Sequence, residues 1–209
     1  MNDDSTPRFP DWLNVSRETF GRLLWLGAEV EKWNKAINLI SRPSVGDMWR
    51  RHILDSAQIF ELLPNHSRRW ADLGSGGGFP GLVIAVMALE RAQKLETILV
   101  ESDGRKAAFL RHVVQELSLQ ATVRSDRIED TPTIGADVVS ARALAPLDKL
   151  CWMAFRHLGP NGIAVLQKGA SYGTELKDCT ENWSFELKIH PSRTDDSAVI
   201  LEIGGLTHV

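Results

Sequence analysis

The chain has 209 residues, 43% of them hydrophobic and 24% charged, with 24 basic against 27 acidic side chains and a net charge of −3. These proportions belong to a globular protein with one sizeable core, and they exclude a disordered tail, a collagen-like fibre and a histone-like polycation. A nucleic-acid partner would therefore have to meet a local basic face. Two cysteines occur, Cys151 and Cys179, with no CxxC and no histidine pair at ligand spacing. Neither a disulfide framework nor a metal site is expected, and a reduced cytoplasmic setting fits. The opening MNDDSTPRFPDW lacks the apolar run of a signal peptide, and the longest charge-free run, Leu73–Leu89, holds five glycines and a proline. No membrane segment is expected.

Two amphipathic helices come first. From Ser16 to Ile37, the residues Phe20, Leu23, Leu24, Gly27, Val30 and Ile37 recur at helical spacing, with Ser16 able to cap the start. A turn at Ser41-Arg42-Pro43-Ser44 breaks this helix. A second helix is expected from Val45 to Leu63, with Trp49, Ile53, Ala57, Phe60 and Leu63 on one face and Pro64-Asn65 as its stop. From Trp70 the pattern alternates. Strand Trp70–Gly74 leads to helix Pro80–Leu89, and strand Glu96–Glu101 to helix Arg105–Leu117. Strands Ala121–Arg124 and Ala136–Ala141 follow, then helix Leu147–His157 and strand Ile163–Gln167. Helical content then fades, and Phe185–His190 with Ala198–Ile203 resembles a closing antiparallel pair. This is an α/β pattern with a mainly parallel sheet and helices on both faces. Residues 1–66 are expected to form an N-terminal helical cap, and residues 67–209 the core that it covers, as one compact unit.

The strongest local signal is Trp70-Ala71-Asp72-Leu73-Gly74-Ser75-Gly76-Gly77-Gly78-Phe79-Pro80-Gly81, set between a strand and a helix. Glycines let the backbone turn sharply and come close to a ligand. Pro80 suits a first helical turn, whose free N–H groups favour an anion. The spacing is D-x-G-x-G-x-G through Asp72, Gly74, Gly76 and Gly78. Phe79 stands where a dinucleotide fingerprint has its third glycine, and an aspartate at the strand tip would repel a pyrophosphate. Asp72 suits instead the methionine ammonium of S-adenosylmethionine. No G-x-x-x-x-G-K-[ST] occurs, which removes a P-loop NTPase. Glu101 lies 23 residues past Gly78, near the spacing at which an acid reaches ribose hydroxyls, while Asp103 caps the next helix. The bland alternative is a tight glycine turn without a ligand. Together the loop and the two acidic strand tips point to a class I S-adenosylmethionine-dependent methyltransferase with a Rossmann-like core.

Longer blocks are more specific. They are Glu31-Lys32-Trp33-Asn34-Lys35-Ala36-Ile37-Asn38-Leu39, Arg51-His52-Ile53-Leu54-Asp55-Ser56, the glycine loop, and Ser140-Ala141-Arg142-Ala143. Through them nearly the whole chain resembles the glucose-inhibited division protein B family, the small-subunit ribosomal RNA methyltransferases G. The resemblance implies methyl transfer from S-adenosylmethionine to N7 of one guanine in 16S rRNA, near the decoding centre. It implies 16S rRNA or a small-subunit precursor as partner; a monomer is expected. By matching positions, it implies Gly74, Phe79, Ile128, Glu129 and Arg142 as cofactor residues. The family often has Asp where this chain has Glu101, a change that keeps the ribose contact.

Guanine N7 has a lone pair and no proton, so its methylation asks for positioning more than for a base. No catalytic residue is assigned. The segment after the fourth strand is Ser140-Ala141-Arg142-Ala143, not the Asn/Asp-Pro-Pro-Tyr/Phe loop of exocyclic-amine methylation. Neither cysteine ends a strand, where a pyrimidine-attacking nucleophile would stand. Arg142 ends an apolar strand at the ligand edge of the sheet, to hold the cofactor or an RNA phosphate, or else to pair with Asp72 or Glu129. Lys168 is a second cation at that edge, or a solvated loop lysine. Ile128 and Glu129 follow the third strand as an apolar wall and a polar reader for adenine, unless Glu129 pairs with Arg127. His52, His112, His157 and His190 are expected on the surface or in packing. Arg50-Arg51, Arg68-Arg69, Arg105, Lys106 and Arg111 form a candidate RNA-facing patch, with Arg51, Arg142 and Lys168 the substrate-binding candidates. Rival functions are an NAD-dependent oxidoreductase, a cofactor-sensing RNA-binding module, and a methyltransferase of a small molecule or another RNA.

Overall fold

The computed structural model describes residues 10–209, so most of the MNDDSTPRFPDW opening lies outside the described residues. Helix α1 (Arg17–Asn34) starts at Ser16, whose Oγ accepts from the Thr19 N–H at 3.2 Å, as an N-cap should. It buries Thr19, Leu23, Leu26, Gly27 and Val30. Asn34 then turns the chain: its Oδ1 accepts from the N–H groups of Leu39 (2.8 Å) and Ile40 (3.0 Å).

Two expectations in this region are corrected. The Ser41–Ser44 turn is a short helix, α2 (Arg42–Val45), with proline in its first turn, where no N–H is needed. The expected helix Val45–Leu63 stays coiled but changes its hydrogen-bond register. It runs as a π-helical stretch (Trp49–Leu54), a single α turn, α3 (Asp55–Ala57), and a 3-10 stretch (Gln58–Leu62). At the wide turn the Asp55 N–H reaches the Arg50 carbonyl, five residues back. Such wide turns concentrate at functional sites. Here it lies among His52 and Asp55, both of which meet Arg142.

The rest alternates β1 (Arg69–Leu73), α4 (Gly81–Arg91), β2 (Glu96–Val100), α5 (Gly104–Glu116), β3 (Ala121–Arg124), β4 (Ala136–Arg142), α6 (Leu147–His157), β5 (Leu158–Lys168), α7 (Tyr172–Cys179), β6 (Trp183–Pro191) and β7 (Val199–His208). Helix α7 stands where the sequence reading expects no helix; Tyr172, Leu176 and Cys179 share one face and pack on the α6 core, but Cys179 alone is fully buried and eight residues are too few for the period to stand out. The sheet has seven strands in the order β3-β2-β1-β4-β5-β7-β6. The first five are parallel, and β7 pairs antiparallel with both β5 and β6. Alternation along the strands separates two cores. Trp70 and Leu99 face the layer of α1, α4 and α5, while Ala71, Leu73, Ile98 and Val100 face α6. Each large side chain buried there contributes roughly 1.5–3 kcal/mol. Order reverses between β1 and β4, so a crevice opens beyond their carboxyl ends. Among the described residues no helix is long and apolar enough to cross a membrane, and no group of three or more His, Cys, Asp or Glu could hold a metal ion.

Candidate active site

The loop between β1 and α4 is shaped by backbone that only glycine adopts readily. Gly74, Gly76 and Gly78 have φ of +68°, +55° and +91°. Gly77 is fixed by contact instead: a Cβ there would lie 2.9 Å from the Leu39 carbonyl, so the loop packs bare against the chain leaving α1. Ser75 pins the turn, its N–H donating to the Val100 carbonyl at 3.0 Å and its Oγ to the Asp72 carbonyl at 3.0 Å.

The two acidic strand tips are placed differently. Asp72 is 1% exposed and spends both oxygens inside the fold. Oδ1 accepts from Ser140 Oγ at 2.8 Å, and Oδ2 from the Gly81 N–H at 3.1 Å. Burial raises its carboxyl to about 6, against the lowering effect of the Ser140 bond. Asp72 and Gly78 thus support the loop without lining the cleft. Glu101 does line it. Its Oε2 accepts from the Gly76 N–H at 2.8 Å and its Oε1 from the Asp103 N–H at 2.7 Å. A carboxylate has about four acceptor positions, so two remain for ligand hydroxyls. Asp103 caps α5, accepting from the N–H groups of Arg105 and Lys106.

Facing the loop is a cluster that joins β4 to the π turn. Arg142 donates from Nη1 to the Arg51 carbonyl at 2.9 Å and pairs with Asp55 Oδ2 at 3.5 Å. Its Nη2 meets Nδ1 of His52 at 2.8 Å. The guanidinium also lies 5.5 Å from the centre of the Phe79 ring, and the His52 ring 5.0 Å from the same ring. Burial and the cations Arg142 and Arg51 lower His52 to about 4. Burial raises Asp55, with Arg142 opposing, and it lowers Arg142, with Asp55 opposing. Asp55 is held further by Gln167 Nε2 at 2.7 Å and Thr194 Oγ1 at 2.9 Å. Sequence reasoning missed Asp55 and Gln167 and expected His52 on the surface or in packing; the Arg51–Ser56 block carried the resemblance but no hint of its partner 87 to 91 residues away.

Gly74, Gly76, Phe79, Glu101, Ile128, Glu129, Arg142, Lys168 and Arg51 share one open cleft of about 1200 Å³. Arg142 pairs with neither Asp72 nor Glu129, whose nearest cation is Lys149 at 3.8 Å. Lys168 is no free loop lysine: it pairs with Glu175 and donates to the Ala145 carbonyl at 3.3 Å. The expected basic patch divides. Arg50, Arg51 and Lys106 line the cleft, joined by Arg127. Arg68 and Arg69 sit at the opposite end of β1, where their N–H groups bond Asp137. Arg105 pairs with Asp103. The buried thiols of Cys151 and Cys179 meet at 3.4 Å between α6 and α7, away from any strand end.

The donor set suits a nucleoside with an amino-acid tail. Bare loop backbone can approach the tail, Glu101 can accept two hydroxyls, and Ile128 offers an apolar wall.

Comparison with known proteins places this site in a family. The model for rRNA small subunit methyltransferase G (GidB) matches residues 22–197. The ribosomal RNA small subunit methyltransferase G of Cereibacter sphaeroides is 51% identical over 197 residues, which cover 94% of this chain and 95% of that protein. Its counterpart in Bartonella tribocorum is 49% identical, over 91% of this chain and 89% of that one. Two solved structures share the fold. A SAM dependent methyltransferase from Aquifex aeolicus has a TM-score of 0.60 at 12% identity, over 85% of this chain and 97% of that one. M. jannaschii TYW2 in complex with AdoMet has a TM-score of 0.58 at 13% identity, over 84% and 80%. The family match runs unbroken from α1 past the π turn, the glycine loop and Arg142, so the chain belongs to the rRNA small subunit methyltransferase G family.

Proposed function

We propose that this cleft transfers a methyl group from S-adenosylmethionine to N7 of a guanine in 16S rRNA. The observation that carries this reading is one cleft shared by the glycine loop with Glu101 and by the cations Arg50, Arg51, Lys106 and Arg127. Among the described residues none of these four forms an ion pair within 4.0 Å, although Asp195 in the same cleft feels the charge of Arg50 and Arg51. Such cations can meet phosphates along a strand.

S-adenosylmethionine supplies an electrophilic methyl group on a sulfonium sulfur when bound. Gly74 and Gly76 would hold its amino-acid end, Glu101 its ribose, and Ile128 with Glu129 its adenine. Asp72 acts through the loop that it ties to Ser140 and Gly81. N7 attacks with its own lone pair, so no side chain has to remove a proton. His52 agrees with this: its Nδ1 faces the Arg142 guanidinium, and it stays neutral near pH 7. Phe79, His52 and Arg142 form a wall that can orient a base, and orientation alone can supply much of the rate. The enzyme acts as a cytoplasmic monomer on 16S rRNA or a small-subunit precursor.

The test combines purified protein, methyl-labelled S-adenosylmethionine, and rRNA from a strain lacking this methylation. One labelled nucleotide is expected, recovered as 7-methylguanine. Label on an exocyclic amine, on ribose, or only on small molecules would overturn the reading.

A further inference from the structure

The β3–β4 crossover, residues 125–135, contains no helix, although α4, α5 and α6 fill the other parallel crossovers. Two aromatic side chains stand out on the outer side of α6: Trp152 is 41% exposed and Phe155 is 51% exposed. Three residues apart, they lie on one helix face. Exposed cations flank them, Lys149 before and Arg156 after. Beside Trp152 runs a groove of about 630 Å³, walled by Lys149, Glu129, Asn182, Trp183 and His208. The Phe155 ring leans on Trp183 at 5.7 Å. The groove borders the main cleft, with Glu129 and Lys149 lining both. Its acids are engaged already. Asp148 accepts from Asn182 at 2.9 Å and Trp183 at 3.1 Å; Glu129 and Lys149 pair with each other at 3.8 Å, and Arg156, bonded to the Thr131 carbonyl at 3.5 Å, keeps its charge unpaired among the described residues.

Aromatic planes interleaved with cations, leading out of a cleft, suit an unpaired nucleic-acid strand. Every base has a face that stacks, and the cations meet phosphates. A protein partner would ask for about 800 Å² of complementary surface on each side, far more than two protruding rings supply. We infer that Trp152 and Phe155, with Arg156 beside them, form a second RNA-contact site, which stacks an unpaired base of the strand flanking the target nucleotide. This inference rests on rRNA being the substrate.

The experiment measures 16S rRNA affinity for the wild type, Trp152→Ala, Phe155→Ala and Trp152→Tyr, with cofactor affinity followed by calorimetry. Each alanine variant should bind rRNA about 5- to 100-fold more weakly, with unchanged cofactor affinity and an unchanged salt slope. Trp152→Tyr should keep most of the binding, since it keeps a ring. Unchanged rRNA affinity in both alanine variants overturns the site. So does a wild-type dimer that Trp152→Ala dissolves, because the occupant is then a second copy. A wild type that neither binds nor methylates rRNA overturns the substrate reading itself.

Discussion

Arg142 Nη2 sits 2.8 Å from Nδ1 of His52, so the imidazole presents a lone pair to a guanidinium and cannot take a second proton there. Burial is the larger cause, and with the charges of Arg142 and Arg51 it brings His52 down to about 4 from its usual 6.5. A histidine lowered on folding stabilises fully above its unfolded value, and that stability is lost as pH falls from about 6.5 through 4. Asp72 has the opposite sign. Its carboxyl is raised to about 6, so its contribution is greatest below 3.8 and is lost as pH rises through 6. Between about 4 and 6 the two oppose each other. Urea unfolding of the wild type and His52→Gln isolates the first effect. The wild type should lose on the order of 2 kcal/mol relative to the variant between pH 7 and 4.5, allowing for partial solvent screening. A stability gap that stays constant with pH would show that His52 is not held neutral.

Catalysis should not follow this titration. His52 and Asp72 both change charge at or below about pH 6, and N7 has no proton to lose. Single-turnover rates at saturating RNA and cofactor should therefore be nearly flat from about pH 6.5 to 8.5. A tenfold rise per pH unit, abolished by His52→Gln, would reinstate a general base.

What the sequence revealed is what is local. The strand–loop–helix unit from Trp70 to Arg91 shows in period, glycine spacing and acid placement, because each lies within a few residues of its partner. Ser16 and Asp103 were legible as caps for the same reason. Helix α7 was hidden because it is only eight residues long and meets the core with Cys179 buried and Tyr172 and Leu176 half-buried, too short a run for its period to show. The broken helix after Val45 keeps its apolar residues at helical spacing, while its hydrogen-bond register widens where Arg142, at the end of β4, meets it. The cluster of His52, Asp55, Arg142 and Gln167 spans separations of 87 to 112 residues, and no local pattern encodes such a meeting.

Asp72 provides a test of support against direct ligation. A chain of hydrogen bonds runs from Trp70 Nε1 to Ser140 Oγ (2.8 Å) and on to Asp72 Oδ1 (2.8 Å), while Oδ2 holds the Gly81 N–H. In Asp72→Asn, compared at pH 5 where the wild-type carboxyl is largely uncharged, one donor of this buried chain loses its acceptor, at a cost of roughly 1–3 kcal/mol. Unfolding should show that loss, and cofactor affinity should fall with it. If affinity fell while stability stayed at the wild-type level, Asp72 would be a direct ligand and its burial here would not describe the bound state.

The net charge of −3 gives RNA no general attraction, so binding rests on particular cations and on what each already holds. Lys168 is committed: its ammonium pairs with Glu175 and bonds the Ala145 carbonyl, and its side chain is 10% exposed. Lys168→Ala should unsettle the β4–α6 connection by about 1 kcal/mol yet leave the salt dependence of RNA binding unchanged. Arg50 and Arg51 reach the same cleft with no ion pair among the described residues. Each alanine substitution there should lower the slope of log affinity against log salt by up to about one unit, the signature of one lost phosphate contact. Cofactor affinity by calorimetry should stay at the wild-type value in Arg50→Ala. The decisive comparison is the salt series for Lys168→Ala beside that for Arg50→Ala. A reduced slope in the lysine variant alone would mean that Lys168 leaves Glu175 to meet the phosphate backbone, and the RNA path would then run over β5 instead of along the π turn.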